Sequence, residues 1–145
     1  MGKRQISVLA AGAVLLVLPA CSGDKKPVEG GEATVVVDGK NLAVAKNRVT
    51  CETRDGKVHI GIASDRENSG MTAVVTEGDK PELESVGLGD VDGVSLGFAR
   101  GAGDGTGTAT KTPGGYTLSG EATGYSMSNL AQPSRKHFEF RVTCP

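Results

Sequence analysis

The chain has 145 residues, 37% of them hydrophobic, which is enough for one domain with a packed core and too few for two. The 16 basic and 17 acidic residues give a formal net charge of −1, and aromatic residues make up only 3%. A nucleic-acid-binding protein needs a basic footprint or a set of stacking aromatics, so nucleic acid is excluded as a partner. The 22 glycines and a largely aliphatic core favour strands joined by tight turns.

The N-terminus has the pattern of an export signal. Lys3 and Arg4 precede an uninterrupted run of apolar or small residues from 6 to 18. A membrane-spanning helix needs about 20 apolar residues, and this run ends well short of that length. The pattern therefore predicts a signal peptide over residues 1–20 rather than a permanent transmembrane segment.

The apolar run ends in Leu18, Pro19, Ala20 and Cys21, which together resemble the bacterial lipobox. The resemblance implies cleavage between Ala20 and Cys21, an S-diacylglycerol on the Cys21 sulfur and an N-acyl chain on the new amino group. Two or more acyl chains hold a protein stably on a bilayer, whereas one holds it only marginally. The alternative is an ordinary secretory signal with an incidental free cysteine, and charge, run length and cysteine position together favour the lipobox.

Residues 21–33 are rich in Gly, Lys, Glu and Pro and lack apolar periodicity, which predicts a lipidated N-terminus and flexible tether. From residue 34 onward, short β-rich runs alternate with turns, beginning with hairpin turns at Asp38-Gly39 and Asp55-Gly56. The spacing predicts one all-β domain over 34–145, an antiparallel sandwich or open barrel of about 8–9 short strands. Later strands are expected at 71–77, 82–88, 94–99, 106–111, 116–125 and 136–144. One helical turn is expected in "MSNLAQP", which ends at Pro133.

The two remaining cysteines are expected to pair with each other. Alternation in the last strand puts Phe138, Phe140 and Cys144 on one buried face, and Cys51 lies on a similar inward face of an earlier strand. Exported compartments permit disulfides, so we predict a Cys51–Cys144 bridge. That pairing leaves Cys21 for lipid.

One motif resembles an active site. Residues 93–97, "GVSLG", match G-x-S-x-G, and Asp104 and His137 follow in the chain order of an α/β-hydrolase triad. That motif requires a strand-to-helix elbow, whereas here Ser95 falls on the outer face of an alternating strand and no helical pattern follows. We therefore interpret Ser95 as an ordinary strand residue and predict no catalytic residues and no enzyme activity.

Other apparent ligand sites also have simpler interpretations. The Asp90 to Gly93 stretch begins like a calcium loop but lacks the later ligands, and a type I′ turn at Asp92-Gly93 explains it better. Residues 101–107, "GAGDGTG", lack phosphate-loop spacing and are expected to form a flexible hairpin loop. His59 and His137 have no second ligand at metal spacing and fall on polar faces. We predict no metal site and no cofactor.

A pocket for an apolar ligand stays open as an alternative. Glycines in several strands could leave space between the faces of the domain, at positions 87, 89, 97, 120 and 124. The sequence alone does not distinguish such a cavity from close packing.

The chain resembles the LpqH family, the mycobacterial nineteen-kilodalton lipoprotein antigens, over almost its whole length. The resemblance rests on the lipobox and on the following segments: "VVVDGK" at 35–40, Cys51, "SVGLGDVDGVSLGF" at 85–98, "TATK" at 108–111, "GEATGYSM" at 120–127 and "FEFRVTC" at 138–144. The segment at 85–98 is the most specific of these.

This resemblance implies a non-enzymatic, exported and surface-exposed lipoprotein, lipid-anchored to the outer face of the cell membrane. It also implies a disulfide-linked β domain and an acylated N-terminus that is an agonist of host Toll-like receptor 2. The expected partners are therefore the bacterial membrane and that receptor. The alternative function is a carrier of lipid or another small apolar ligand within the envelope, which would add an apolar ligand to the partners.

Overall fold

A computed structural model describes residues 29–66, 69–103 and 105–145. These residues form β-strands and connecting turns, and no helix occurs among them. The strands are β1 (Glu29–Gly31), β2 (Ala33–Val37), β3 (Lys40–Asn41), β4 (Val49–Arg54), β5 (Lys57–Ile62), β6 (Met71–Thr76), β7 (Leu83–Val91), β8 (Val94–Ala99), β9 (Thr106–Thr112), β10 (Gly115–Ser126) and β11 (Asn129–Thr143). The expected all-β fold is confirmed.

Local sequence explains the hairpins that build the sheet. Asp38, Asp55 and Asp92 adopt positive φ angles of 48°, 54° and 53°, and the glycine after each also has positive φ. Positive φ at both central residues is the type I′ geometry whose twist matches that of the flanking strands. The predicted Asp-Gly turns are therefore confirmed. They include the turn at Asp92-Gly93, which was predicted in preference to a calcium loop.

The strands make one antiparallel sheet in the order β1-β4-β5-β6-β7-β8-β10-β11-β2-β3, with β9 also paired to β10. The sheet does not close into a barrel. Its β4 and β11 regions are nevertheless joined by the N-terminal segment, because β1 pairs with β4 and β2 pairs with β11. Glu32, between β1 and β2, accepts a backbone hydrogen bond of 2.8 Å from the N–H of Thr143.

Alternating side chains fill the space that the sheet encloses. In β5, Val58, Ile60 and Ile62 are buried, and in β11 Phe138 and Phe140 are fully buried. The rings of Phe138 and Phe140 meet edge to face, with centroids 5.8 Å apart. Burial on alternate positions of paired strands is what a period of two residues requires, so these faces follow the sequence pattern.

Two local expectations are corrected by the structure. Residues 29–31 form β1, although they fall within the segment predicted as a flexible tether. The segment "MSNLAQP" holds a turn and the start of β11 instead of a helical turn. Pro133 is tolerated there because the pairing of β10 with β11 shifts register between Gly124 and Ser126, next to it.

The loop after β8 is also different from the expected hairpin loop. Both β8 and β9 pair with β10. Strand β9 pairs with residues 115–121 of β10 and strand β8 pairs with residues 123–126, so β8 and β9 lie end to end beside β10. The "GAGDGTG" segment therefore connects two strands that are not hydrogen-bonded to each other. A local glycine pattern predicts a turn but carries no information on which strands it joins.

Candidate functional site

The predicted lipidation site lies outside the described residues, as do the rest of the lipobox and the signal peptide, residues 1–20. The structure begins at β1, and the position of a Cβ on Gly30 would be 3.6 Å from the Cβ of Pro145. The chain thus joins the domain beside its own C-terminus. The part of the predicted tether that precedes Glu29 and the predicted acylation of Cys21 lie outside the described residues and stay predictions.

The predicted disulfide is present. Cys51 in β4 and Cys144, directly after β11, are bonded with their Cα atoms 5.6 Å apart. Both residues are partly buried against the core. Because β4 and β11 lie near opposite ends of the strand order, this bond fastens the two ends of the sheet to each other beside the N-terminal segment.

Ser95 is an exposed residue of β8, as expected, opposite Asp90 on β7 and Tyr125 on β10. His137 is exposed on β11 and lies opposite Glu121 on β10. Two strand spacings and four residues along β10 separate the backbones of Ser95 and His137 by about 16 Å. Asp104 lies outside the described residues. The structure therefore does not bring Ser95 and His137 together into a hydrolase site.

The acidic turn after β7 uses its carboxylates for local structure. Asp90 Oδ1 accepts a hydrogen bond of 3.0 Å from the N–H of Gly93. Asp92 pairs with Lys40 at 3.3 Å and with Lys136 at 3.7 Å. The hydrogen bond and positive charge of Lys40, with a smaller effect of Lys136, hold the pKa of Asp92 below its ordinary value of 3.8.

The two histidines are placed apart. His59 is half-buried on β5, between Glu52 and Val74 on the neighbouring strands. The backbone N–H of His137 donates a hydrogen bond of 2.9 Å to Asp38 Oδ1. Among the described residues, no group of three or more His, Cys, Asp or Glu side chains could hold a metal ion.

Two of the glycines that could have left space for a ligand, Gly120 and Gly124, instead allow backbones to approach closely. A Cβ on Gly120 would collide with the carbonyl oxygen of Thr106, and one on Gly124 with that of Ser95. An open cleft of about 210 Å³ does lie near the acidic turn. It combines the buried side chains of Met71 and Leu88 with exposed charged groups, Lys40, Arg66, Asp90 and Asp92.

The sequence interpretation missed an exposed apolar group at the tip of the β10–β11 hairpin. Tyr125 is 53% exposed, Met127 88% and Leu130 66%. Tyr125 and Met127 are two residues apart, as on one face of a strand, but Leu130 follows three residues later, so the three share no single period. The available signal was compositional: a methionine beside Ser128 in a short turn is unusual, because such turns favour small polar residues.

Comparison with known proteins places the chain in a family. A family model described as "Mycobacterium 19 kDa lipoprotein antigen" matches residues 26–144. The chain belongs to this family. The predicted resemblance is thereby confirmed, and the match covers almost all of the described β domain.

Individual relatives agree with this assignment. Lipoprotein LpqH of Mycobacterium tuberculosis (strain H37Rv) is 41% identical over 160 aligned positions, which cover 98% of this chain and 99% of the relative. Lipoprotein LpqH of Mycobacterium avium is 42% identical over 110 positions, 76% of this chain and 66% of the relative. A putative lipoprotein of Mycobacterium indicus pranii is 33% identical over 94% of this chain and 96% of the relative.

The family description and the names of these relatives identify them as lipoproteins. Lipoproteins are attached to membranes through acyl chains. In the described part of the chain, no helix is long and apolar enough to cross a membrane.

Proposed function

We propose that this protein is a non-enzymatic envelope lipoprotein and antigen, held on the outer face of the cell membrane by acyl chains on Cys21. The observation that carries the proposal is the use of the cysteines. Two of the three cysteines, Cys51 and Cys144, are joined within the domain, which leaves Cys21 as the thiol available for modification. The lipobox pattern around Cys21 supplies the chemistry of that modification, a thioether to diacylglycerol.

The described fold supports this division between anchor and domain. β1 begins at Glu29, so that residues 22–28 are left between Cys21 and the sheet. Seven residues span at most about 25 Å when fully extended. The domain would therefore stay close to the bilayer, presenting a sheet whose outer face carries polar and charged side chains.

The acylated N-terminus is the part of the proposed molecule that would activate host Toll-like receptor 2. Acyl chains are the largest apolar groups the mature protein would carry, and they are joined to the domain by a short polar segment. A receptor that recognises acyl chains would therefore need only the N-terminus. This step rests on the family resemblance and on acylation of Cys21.

Replacement of the acylated residue tests the proposal. Cys21→Ala should remove the diacylglycerol mass from the purified protein, release the protein from membranes and abolish receptor signalling. The matched control is Ser22→Ala, which keeps Cys21 and should leave mass, membrane retention and signalling as they are. Membrane retention and unchanged signalling of the Cys21→Ala protein would contradict the proposal.

Carriage of an apolar ligand has less support from the described residues. Gly120 and Gly124 lie against backbone carbonyls of the neighbouring strands, so they open no gap between those strands. The cleft near the acidic turn is open and bordered by exposed charges, whereas sites for apolar ligands are mostly enclosed and apolar. We therefore do not propose a carrier function.

A further inference from the structure

The tip of the β10–β11 hairpin concentrates exposed apolar surface. In the described part of the chain, the large hydrophobic residues that are exposed are Tyr125, Met127 and Leu130, all within this tip. Every residue from 127 to 133 is exposed. Single exposed apolar side chains are ordinary, but a group of three at one end of a molecule marks a contact surface.

The turn at the tip is structurally defined. Ser126 and Ser128 hydroxyls lie 2.7 Å apart, and the N–H of Ser128 donates to Ser126 Oγ at 3.2 Å. Pairing of Ser126 with Asn129 closes the hairpin around residues 127 and 128. Met127 is thus held at the apex by local hydrogen bonds, and its side chain finds no packing partner that would bury it.

The composition of the tip matches the surface of a bilayer. Residues 124–134 contain no charged residue. The next two residues are basic but are paired within the domain, Arg135 with Glu121 at 3.5 Å and Lys136 with Asp92 at 3.7 Å. An uncharged apex that carries large apolar side chains can place those side chains among the acyl chains of a bilayer. Tyrosine is suited to the interface between those layers, because one end of its side chain is apolar and the other is polar.

The position of the tip relative to the anchor decides which bilayer it can reach. β11 runs from the tip at Asn129 to Thr143, which lies beside Glu32 where the chain joins the sheet. Fourteen steps along a strand are at most about 46 Å. Residues 22–28 span up to about 25 Å, so an inclined domain can touch the anchoring bilayer with its tip.

We propose that the β10–β11 tip, through Tyr125, Met127 and Leu130, inserts into the same bilayer that holds the anchor. This inference rests on the proposed acylation of Cys21. The acyl chains keep the domain within a short distance of the bilayer, so the tip meets lipid at a high effective concentration. Three side chains therefore suffice for a second contact, although they would bind a membrane only weakly alone. The two contacts together fix the domain in an inclined orientation.

Fluorescence tests the insertion directly, because the chain contains no tryptophan. The full-length processed protein carrying Met127→Trp is reconstituted into phosphatidylcholine–phosphatidylglycerol vesicles that contain brominated lipid. The control variant is Glu77→Trp, at an exposed position after β6, near the opposite end of the sheet. We expect quenching at position 127 at least about twofold stronger than at position 77, with a blue-shifted emission.

A second substitution tests whether the apolar group acts together. Leu130→Ser, added to Met127→Trp, should reduce the quenching and shift the emission back toward that of exposed tryptophan. Leu130 is exposed, so the fold should be unaffected, which circular dichroism checks. Quenching that is unchanged by Leu130→Ser would contradict a shared insertion of the tip.

Two further results would overturn the inference. Equal or weaker quenching at position 127 than at position 77 would mean that the tip does not enter the anchoring bilayer. Quenching only when the brominated lipid is in a second, protein-free vesicle population would assign the tip to an opposing membrane. Intact mass of the same sample reports acylation separately, so a failure of the proposed anchor is distinguished from a failure of tip insertion.

Discussion

The two ends of the β10–β11 hairpin differ sharply although the same two strands form both. At one end, Leu118, Phe138 and Phe140 are completely buried, and the disulfide at Cys144 fastens the strand. At the other end, Met127 is 88% exposed. The ladder between the strands runs from the pair Gly115 and Thr143 to the pair Gly124 and Ser134 and is resumed at the turn.

The comparison shows that backbone pairing between β10 and β11 does not by itself bury or stabilise both ends of the hairpin. The buried end packs against side chains of β2 and of the strands around β5, which belong to the same core cluster. The tip has backbone pairing but lacks that packing. Isolated two-stranded hairpins are only marginally stable in water. Packing against the core therefore stabilises the buried end, whereas the unpacked tip is left as a surface that can contact a partner.

The largest expected effect comes from removing a ring at the buried end. Phe140→Ala should lower the free energy of unfolding by about 3–5 kcal/mol, because it deletes a fully buried aromatic side chain and leaves a cavity. Met127→Ala is the matched control at the exposed end and should stay within about 0.5 kcal/mol. Urea unfolding followed by circular dichroism measures both. Comparable losses in the two variants would remove the contrast between the ends.

A smaller loss is expected from opening the disulfide. The bridge joins residues 93 positions apart, so replacing both Cys51 and Cys144 by Ser should cost about 2–4 kcal/mol, chiefly through the larger freedom of the unfolded chain. Urea unfolding of the double variant measures this loss. Two results together would contradict this prediction. The free energy of unfolding would be unchanged in the double variant, and both thiols of the parent protein would react with an alkylating agent under non-reducing conditions.

The buried end was predictable from the sequence because its signals are local. Alternation in β11 placed Phe138 and Phe140 inward, and the limits of β8 at Val94 and Ala99 were predicted as they are found. The Asp-Gly turns were recognised because positive φ at two central residues has a clear residue preference. The pairing of Cys51 with Cys144 followed from these inward faces.

The exposed end and the joining of the sheet were not predictable in the same way. Residues 129–133 lack alternation and include Pro133, so their membership of β11 depends on a shifted register with β10 that no local pattern specifies. The segment at β1 looked like tether because it is short and rich in glycine. Its strand exists because β4 is brought beside it by the rest of the fold. The lipidation site at Cys21 lies outside the described residues and stays a sequence prediction.

The smallest effect concerns the charged contact where the fixed part of β11 begins. Asp92 pairs with Lys136 on β11 and with Lys40, which together hold the pKa of Asp92 below 3.8, and the hydrogen bond from Lys40 is the largest cause. Folding therefore favours the ionised form. Its contribution to stability is present above the unfolded pKa and is lost as pH falls through the lowered folded pKa. The contribution is small because Asp92 is exposed.

Carboxyl NMR across a pH titration measures this effect at Asp92 itself. Lys40→Gln should move the titration midpoint of Asp92 upward toward 3.8, since it removes the main hydrogen bond and charge. Lys111→Gln, which changes the same charge on the exposed strand β9, should leave the midpoint where it is. A midpoint at or above 3.8 in the unsubstituted protein would contradict the pairing. A midpoint that rises in Lys40→Gln but not in Lys111→Gln would confirm that Lys40 lowers the pKa of the Asp92 carboxylate.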